Sequence, residues 1–199
     1  MPVISAKRLQ DRFDAILDAA QRVFVERGYQ AASIAEIARA ANISDGLIYR
    51  YYDNKRALLD AVLAAFFERI LAKLEPAVAA QTGFAAKLRA LIKAHLEIMF
   101  ADPALCRLFI AEVRGAAEFA DSEARRMSQR YSNVFLAVIR NADAAGELRK
   151  NVDAALLRDL VFGGVEHYAW RAMRSRKLSV ESAADKLADL VLGGVAKGR

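Results

Sequence analysis

The chain has 199 residues, 55% of them hydrophobic, and its 30 Lys and Arg outnumber 24 Asp and Glu for a formal net charge of +6. So apolar a composition excludes a disordered chain, and the length admits one large domain or a small domain joined to a larger one. One cysteine, Cys106, excludes an internal disulfide and fits a reducing cytoplasm, and no apolar run approaches the ~20 residues needed to cross a bilayer. Met1 to Gln10 holds no apolar segment of the kind that opens a signal peptide, so a cytoplasmic protein is expected. Residues 1–56 carry nine Lys/Arg and seven Asp/Glu. With so small a basic excess, attraction to a polyanion depends on where the charges point.

Only three prolines and ten glycines interrupt the chain, and no convincing alternating strand is present. The expectation is an all-α protein of about nine helices. The first runs from about Lys7 to Arg27, with Leu9, Phe13, Ile16, Leu17, Ala20 and Phe24 on one face and Gly28 as its stop. The basic residues Lys7, Arg8 and Arg12 precede or open that face; contact with a nucleic-acid backbone and simple solvation are both open to them.

Two short helical patterns follow, joined by a tight turn. Ser33 and Glu36 form a capping box, and Ile34, Ile37, Ala38 and Ala41 give the second helix one apolar side. Asn42 stands where the turn calls for a left-handed residue, a conformation asparagine tolerates. Ser44 is placed to cap the third helix, where Leu47, Ile48 and Tyr52 face inward. Asp45, Gly46, Tyr49, Arg50 and Tyr51 remain outward, with Lys55 just beyond. A small, polar, aromatic and basic face of this kind suits a helix that enters a major groove. The pattern is a helix-turn-helix, and its expected partner is duplex DNA.

A fourth helix should begin near Asn54 with a broad apolar face from Leu58 to Leu74, and Pro76 makes Glu75 its expected boundary. A fifth spans Phe84 to about Ala101, and a sixth opens at Pro103 and closes near Gly115. A seventh runs from about Asp121 to Ala145 and stops at Gly146. The eighth starts at Asp153 and ends near a basic cluster that includes Arg171, Arg174, Arg176 and Lys177; the ninth runs from Ser179 to about Gly194. A division into residues 1–54 and 55–199 is expected, with the boundary at the start of the fourth helix.

The runs Ile16-Leu17-Asp18-Ala19-Ala20, Val23-Phe24-Val25-Glu26-Arg27-Gly28-Tyr29, Ala32-Ser33-Ile34 and Tyr49-Arg50-Tyr51-Tyr52-Asp53-Asn54-Lys55 resemble the N-terminal domain of TetR-family transcriptional regulators. The resemblance covers about the first quarter of the chain. It implies a three-helix DNA-binding domain on an all-helical effector-binding dimerisation domain, and a ligand-responsive regulator, expected to be a repressor. By resemblance, Ser33 bonds a phosphate at the start of its helix, while Tyr49, Tyr51 and Lys55 grip the DNA backbone. Asp45, Gly46, Leu47 and Arg50 match positions that face base edges, with Ser44 at the head of the same helix. For Asp45, plain stabilisation of the helix start is the competing reading. Two departures stand out: Asn42 replaces the usual glycine, and Ala35 replaces a residue that is often basic or polar.

One helix-turn-helix reads few base pairs, so a homodimer on a pseudo-palindromic operator is expected. The candidate interface is Leu160, Gly163, Gly164 and Tyr168 on the eighth helix with Leu187 and Val191 on the ninth. Paired glycines weaken a helix, so they point to close approach, either across a dimer or within the chain. Candidate effector-binding residues are Phe66, His95, Met99, Phe109, Arg114, Met127, Tyr131, Phe135, Glu166 and Trp170, with core packing the default reading for each taken singly. Arg114 is the candidate for an acidic head group, with a structural salt bridge as the default reading, and the expected small-molecule effector is apolar or amphipathic. Two histidines and one cysteine are too few for a zinc site, and no phosphate-binding glycine pattern or catalytic constellation is visible. No enzyme activity, metal or cofactor is expected. The alternative to a regulator is a helical small-molecule sensor or carrier with a vestigial DNA-binding domain.

Overall fold

In the computed structural model of the chain, residues 6–174 and 179–196 are described, without the side chains of residues 6–9. Arg176 and Lys177 and the side chains of Lys7, Arg8 and Leu9 therefore lie outside the described residues. Among the described residues there are nine α-helices: α1 (Ala6–Arg27), α2 (Ile34–Ala40), α3 (Asp45–Tyr49), α4 (Lys55–Ala79), α5 (Phe84–Ala101), α6 (Pro103–Glu112), α7 (Glu123–Ala144), α8 (Ala154–Ala172) and α9 (Val180–Val195). A 3-10 turn at Ala117–Phe119 precedes α7, and an isolated bridge pairs Leu148 with Ala196. The chain divides into two compact units, Met1–Glu68 with Ala104–Met127, and Arg69–Pro103 with Ser128–Arg199. That division differs from the functional boundary expected near residue 54, because α4 and α7 each contribute residues to both units.

The first unit is built around apolar faces that the sequence pattern already shows. Ile16, Ala20 and Phe24 of α1, Ile37 and Ala38 of α2, Ile48 of α3 and Leu58, Leu59 and Leu63 of α4 are all buried. Gly28 ends α1 at φ 77°, and Asn42 takes the left-handed turn at φ 55°, as its side chain permits. Asn54 caps α4, its Oδ1 accepting from Ala57 N at 2.9 Å. On the next turn the Asp60 carboxylate accepts the N–H groups of Glu123 (3.0 Å) and Ala124 (2.8 Å). An acidic group thus satisfies two orphan donors at the positive end of α7.

In the second unit α5 packs against α8 and α9. Exposed ion pairs line the α5–α9 seam: Lys93 with Glu181 (2.8 Å) and Arg89 with Asp185 (3.7 Å) and Asp189 (2.6 Å). Each is worth little in water, so the apolar contacts hold the seam and the ions fix its register. The segment after α7 serves two helix ends. Gly83 precedes α5 without a side chain to cap it, and the Glu147 carboxylate accepts from Phe84 N at 2.8 Å in its place. Arg149 donates to the carbonyls of Gly193 (3.1 Å) and Ala196 (3.2 Å) at the close of α9. An acid at a helix start and a base at a helix end each complement the local dipole. Asp153 and Ser179 cap α8 and α9 at their expected positions.

Three expectations about helix ends are corrected. α4 runs through Pro76 to Ala79. Proline removes one N–H, but Ala72, four residues earlier, is exposed, so its carbonyl can turn to water, and Ala80 N still bonds Pro76 O at 3.0 Å. α6 stops at Glu112, not Gly115, because Val113 N and Arg114 N both fold back onto Phe109 O at 3.0 and 2.9 Å. Ser44 has the backbone of a cap residue (φ −82°, ψ 151°), yet its side chain makes no capping bond.

Candidate nucleic-acid interface and effector-binding residues

The reading element starts from the capping box. Ser33 Oγ accepts from Glu36 N at 3.2 Å, and Glu36 Oε2 accepts from Ser33 N at 3.1 Å. The Ser33 hydroxyl also donates to Glu36 Oε2 at 3.0 Å. A serine has one proton to give, so bonding a phosphate would require the hydroxyl to turn away from Glu36. Hydrogen bonds from the Ser33 side chain and backbone, helped by Arg27 and Arg39, hold the Glu36 pKa below its ordinary value. Glu36 is thus firmly charged beside the head of α2.

The turn at Asn42 then presents α3. Ile48 is fully buried and anchors it, Leu47 is half-buried, and Asp45, Gly46, Tyr49 and Arg50 are exposed, Tyr49 at 54%. A Cβ built on Gly46 would meet no atom within 4 Å, so that side of the helix is open. An exposed tyrosine ring beside a guanidinium and a bare backbone gives donors, an acceptor and a flat apolar surface on one short helix. Behind it Tyr51 is half-buried, its ring 4.7 Å from that of Phe13 on α1. Burial, reinforced by Asp14, raises the Tyr52 pKa, in keeping with the expected core role. Lys55 faces the loop between α1 and α2. Its Nζ donates to the backbone carbonyls of Tyr29 (2.8 Å), Gln30 (3.0 Å) and Ala32 (2.9 Å), so its protons are engaged within the protein.

The candidate effector residues fall into groups within each unit. In the first, Phe67 joins Phe66 and Phe109, at 5.6 and 4.8 Å between ring centres. The Arg114 guanidinium carbon lies 5.8 Å from the Phe109 ring, and Met127 is half-buried. In the second unit, His95 Nδ1 and Tyr131 Oη are 2.5 Å apart, and His95 is only 8% exposed. Phe162 stacks on His95 at 5.0 Å and on Tyr131 at 5.7 Å, and touches Phe135 at 5.0 Å. Met99 is buried one turn after His95, while Glu166 and Trp170 are half-buried. Phe162, the hub of this cluster, was missed in the sequence. Its spacing of four and eight residues ahead of Glu166 and Trp170 is the signal that would have found it.

A third feature is exposed apolar side chains on α8 and on α9: Leu156 and Leu160 on the first, at 58% and 64%, and Leu190 on the second, at 77%. Tyr168, Leu187 and Val191 are half-buried, and the Arg171 guanidinium carbon sits 5.3 Å from the Tyr168 ring. Added Cβ atoms at Gly163, Gly164, Gly193 and Gly194 would meet nothing within 4 Å. Close packing inside the chain therefore does not account for these glycines.

A capped helix, a left-handed turn and a short exposed helix, followed by helices that gather aromatic side chains, define a helix-turn-helix DNA-binding regulator. Residues 16–62 match the family described as "Bacterial regulatory proteins, tetR family", and residues 81–195 match "Tetracyclin repressor-like, C-terminal domain". The chain belongs to the TetR family of transcriptional regulators. It is similar to the fatty acid metabolism regulator protein of Bacillus subtilis (strain 168), 22% identical over 95% of this chain and 98% of that one. It is also similar to the HTH-type transcriptional repressor KstR2 of Rhodococcus jostii (strain RHA1), 26% identical over 91% and 89%. Its fold matches the crystal structure of FadR from Bacillus subtilis in complex with stearoyl-CoA, with a TM-score of 0.81, 23% identity, and 92% and 98% of the two chains covered. The reading as a sensor or carrier with a vestigial DNA-binding domain is not favoured by these relatives. No helix among the described residues is long and apolar enough to cross a membrane.

Proposed function

We propose that this regulator acts as a homodimeric repressor on a pseudo-palindromic operator and is released by an amphipathic ligand with a long apolar tail. The observation that carries the reading is the pairing of a complete α2–α3 reading head with an exposed apolar face on α8 and α9. One reading head covers too few base pairs for selective binding, and an open face with Leu160, Leu190 and four bare glycines fits a second copy of itself. In this reading Gly164 lies near the two-fold axis, with Leu160, Gly163, Tyr168, Leu187 and Val191 around it. Arg50 and Asp45 read base edges, Gly46 and Leu47 lie close to them, and Ser33, Ser44, Tyr49 and Tyr51 meet the backbone.

Within the second unit the aromatic group at Phe162 supplies apolar lining, with His95, Tyr131 and Glu166 as polar members; within the first, the group at Phe67 is apolar and Arg114 its polar member. One relative supports an acyl ligand: the Bacillus subtilis regulator is named for fatty acid metabolism, and the matching structure of FadR from that organism holds stearoyl-CoA. A ligand can release the operator only by binding the DNA-incompetent state more tightly, and operator must weaken ligand binding by the same factor. The test begins with selection of an operator from a randomised duplex library. Long-chain acyl-CoA and free acyl chains are then titrated into the complex. Release of DNA with reciprocal weakening of ligand binding is the expected result; tight acyl binding that leaves operator affinity unchanged rules that ligand class out as inducer.

A further inference from the structure

An ammonium group has three N–H donors and no acceptor. At Lys55 all three are accounted for by the carbonyls of Tyr29, Gln30 and Ala32, at 2.8, 3.0 and 2.9 Å. The Tyr29 ring adds its face, with its centre 4.7 Å from Nζ. These carbonyls lie in the loop that starts after Gly28 breaks α1 and ends where Ser33 caps α2. Ala32 is buried and directly precedes Ser33, so the last of the three bonds fixes the residue next to the capping serine. Converging carbonyl oxygens repel one another, and a cation at their centre removes that repulsion. Turning Lys55 toward a phosphate would exchange three charge-assisted bonds in a half-buried setting for one at the solvent-exposed DNA backbone.

We propose that Lys55 is a positioning residue: from the head of α4 it clasps the loop of residues 29–32 and so holds Ser33 where α2 meets the DNA backbone, without contacting a phosphate itself. This rests on the operator-binding reading above and assigns a different role from the phosphate contact that family resemblance implies. The two roles leave different marks on the salt dependence of binding. Each phosphate neutralised contributes about 0.9 to the slope of log affinity against log salt. Ser33 is neutral, so its displacement weakens binding without changing that slope.

Operator affinity is measured over a salt series for the intact protein, Lys55→Met and Lys55→Arg. The clasp predicts that Lys55→Met loses roughly tenfold in affinity at an unchanged slope. Lys55→Arg should not restore binding, because a planar fork cannot aim three donors from one nitrogen. Ser33→Ala should also cost less in the Lys55→Met background than in the intact protein. A slope reduced by about 0.9, with full recovery in Lys55→Arg, would overturn the clasp. A second readout needs no variant: acetylation of Lys55 by an amine-reactive ester, followed by mass spectrometry with and without operator. Slow reaction in both states supports the clasp; fast reaction in free protein with protection in the complex overturns it. A chain that enriches no duplex sequence overturns the operator reading itself, whereas operator binding with a rapidly acetylated Lys55 overturns the clasp alone.

Discussion

Between Ser33 and Asn54 the hydrogen bonds that shape the chain join residues close in sequence: Ser33 to Glu36, Asn42 at its turn, Asn54 to Ala57. Lys55, which reaches back to residues 29–32, is the exception. In the second unit the bonds that matter join residues far apart. His95, Tyr131, Phe135 and Phe162 come from three helices, and Glu147 and Arg149 close α5 and α9 over 63 and 44 residues. The first region exposes Tyr49 and Arg50 on a frame of local signals. The second leaves Leu160 and Leu190 exposed on helices that are well packed on their other sides. A polar reading face is well solvated as it stands, whereas exposed leucines beside bare glycines would gain by being covered. The lesson is that the two faces answer to different partners and should fail in different ways.

The strongest way to separate them is Gly164→Trp. On the α8–α9 face it should block association while leaving the reading head folded, and the avidity of two linked heads, about 100-fold or more, should vanish from operator affinity. Sedimentation checks the first effect and titration the second; a dimer that survives the substitution removes Gly164 from the interface. Phe162→Ala empties the centre of the aromatic cluster. It should destabilise the chain by about 2–4 kcal/mol in thermal or denaturant unfolding and weaken acyl-ligand binding, with operator specificity intact in the folded fraction.

Arg50→Ala works in the opposite direction. It should cost about 1–3 kcal/mol of discrimination at one operator position and leave both dimerisation and ligand binding alone. Re-selection from a library should then show that position relaxed; unchanged preference at every position would remove Arg50 from base reading. The smallest effect belongs to the capping box. Ser33→Ala should lower stability by about 1 kcal/mol. Because the Glu36 pKa is lowered in the folded chain, its contribution is present above the unfolded value near 4.5 and is lost as pH falls through the folded value. Glu36→Gln keeps the capping geometry and should flatten that acid limb of the stability curve; an identical limb in both proteins would show that Glu36 does not produce it.

Much of the molecule was readable from residue order because its signals act over one helical turn. Gly28, Asn42, Gly146, Asp153 and Ser179 set helix ends through backbone preferences and caps that need no distant partner, and the all-α character follows from apolar spacing over whole helices. The reading head was legible for the same reason: Asp45, Gly46, Tyr49 and Arg50 are exposed as expected, whereas Tyr51, also expected outward, is half-buried against Phe13. Tertiary structure decided the rest. Lys55 looks like a free cation in sequence, and only the loop folded against it reveals three carbonyls waiting for its protons. Phe162 is one more apolar residue on α8 until α5 and α7 bring His95, Tyr131 and Phe135 to its ring. Continuation of α4 through Pro76 likewise depended on whether the freed carbonyl met solvent or protein. A cap is a contact between near neighbours whose spacing residue order states directly. A long side chain chooses among partners that only the packed chain assembles, and the partner it finds determines its role.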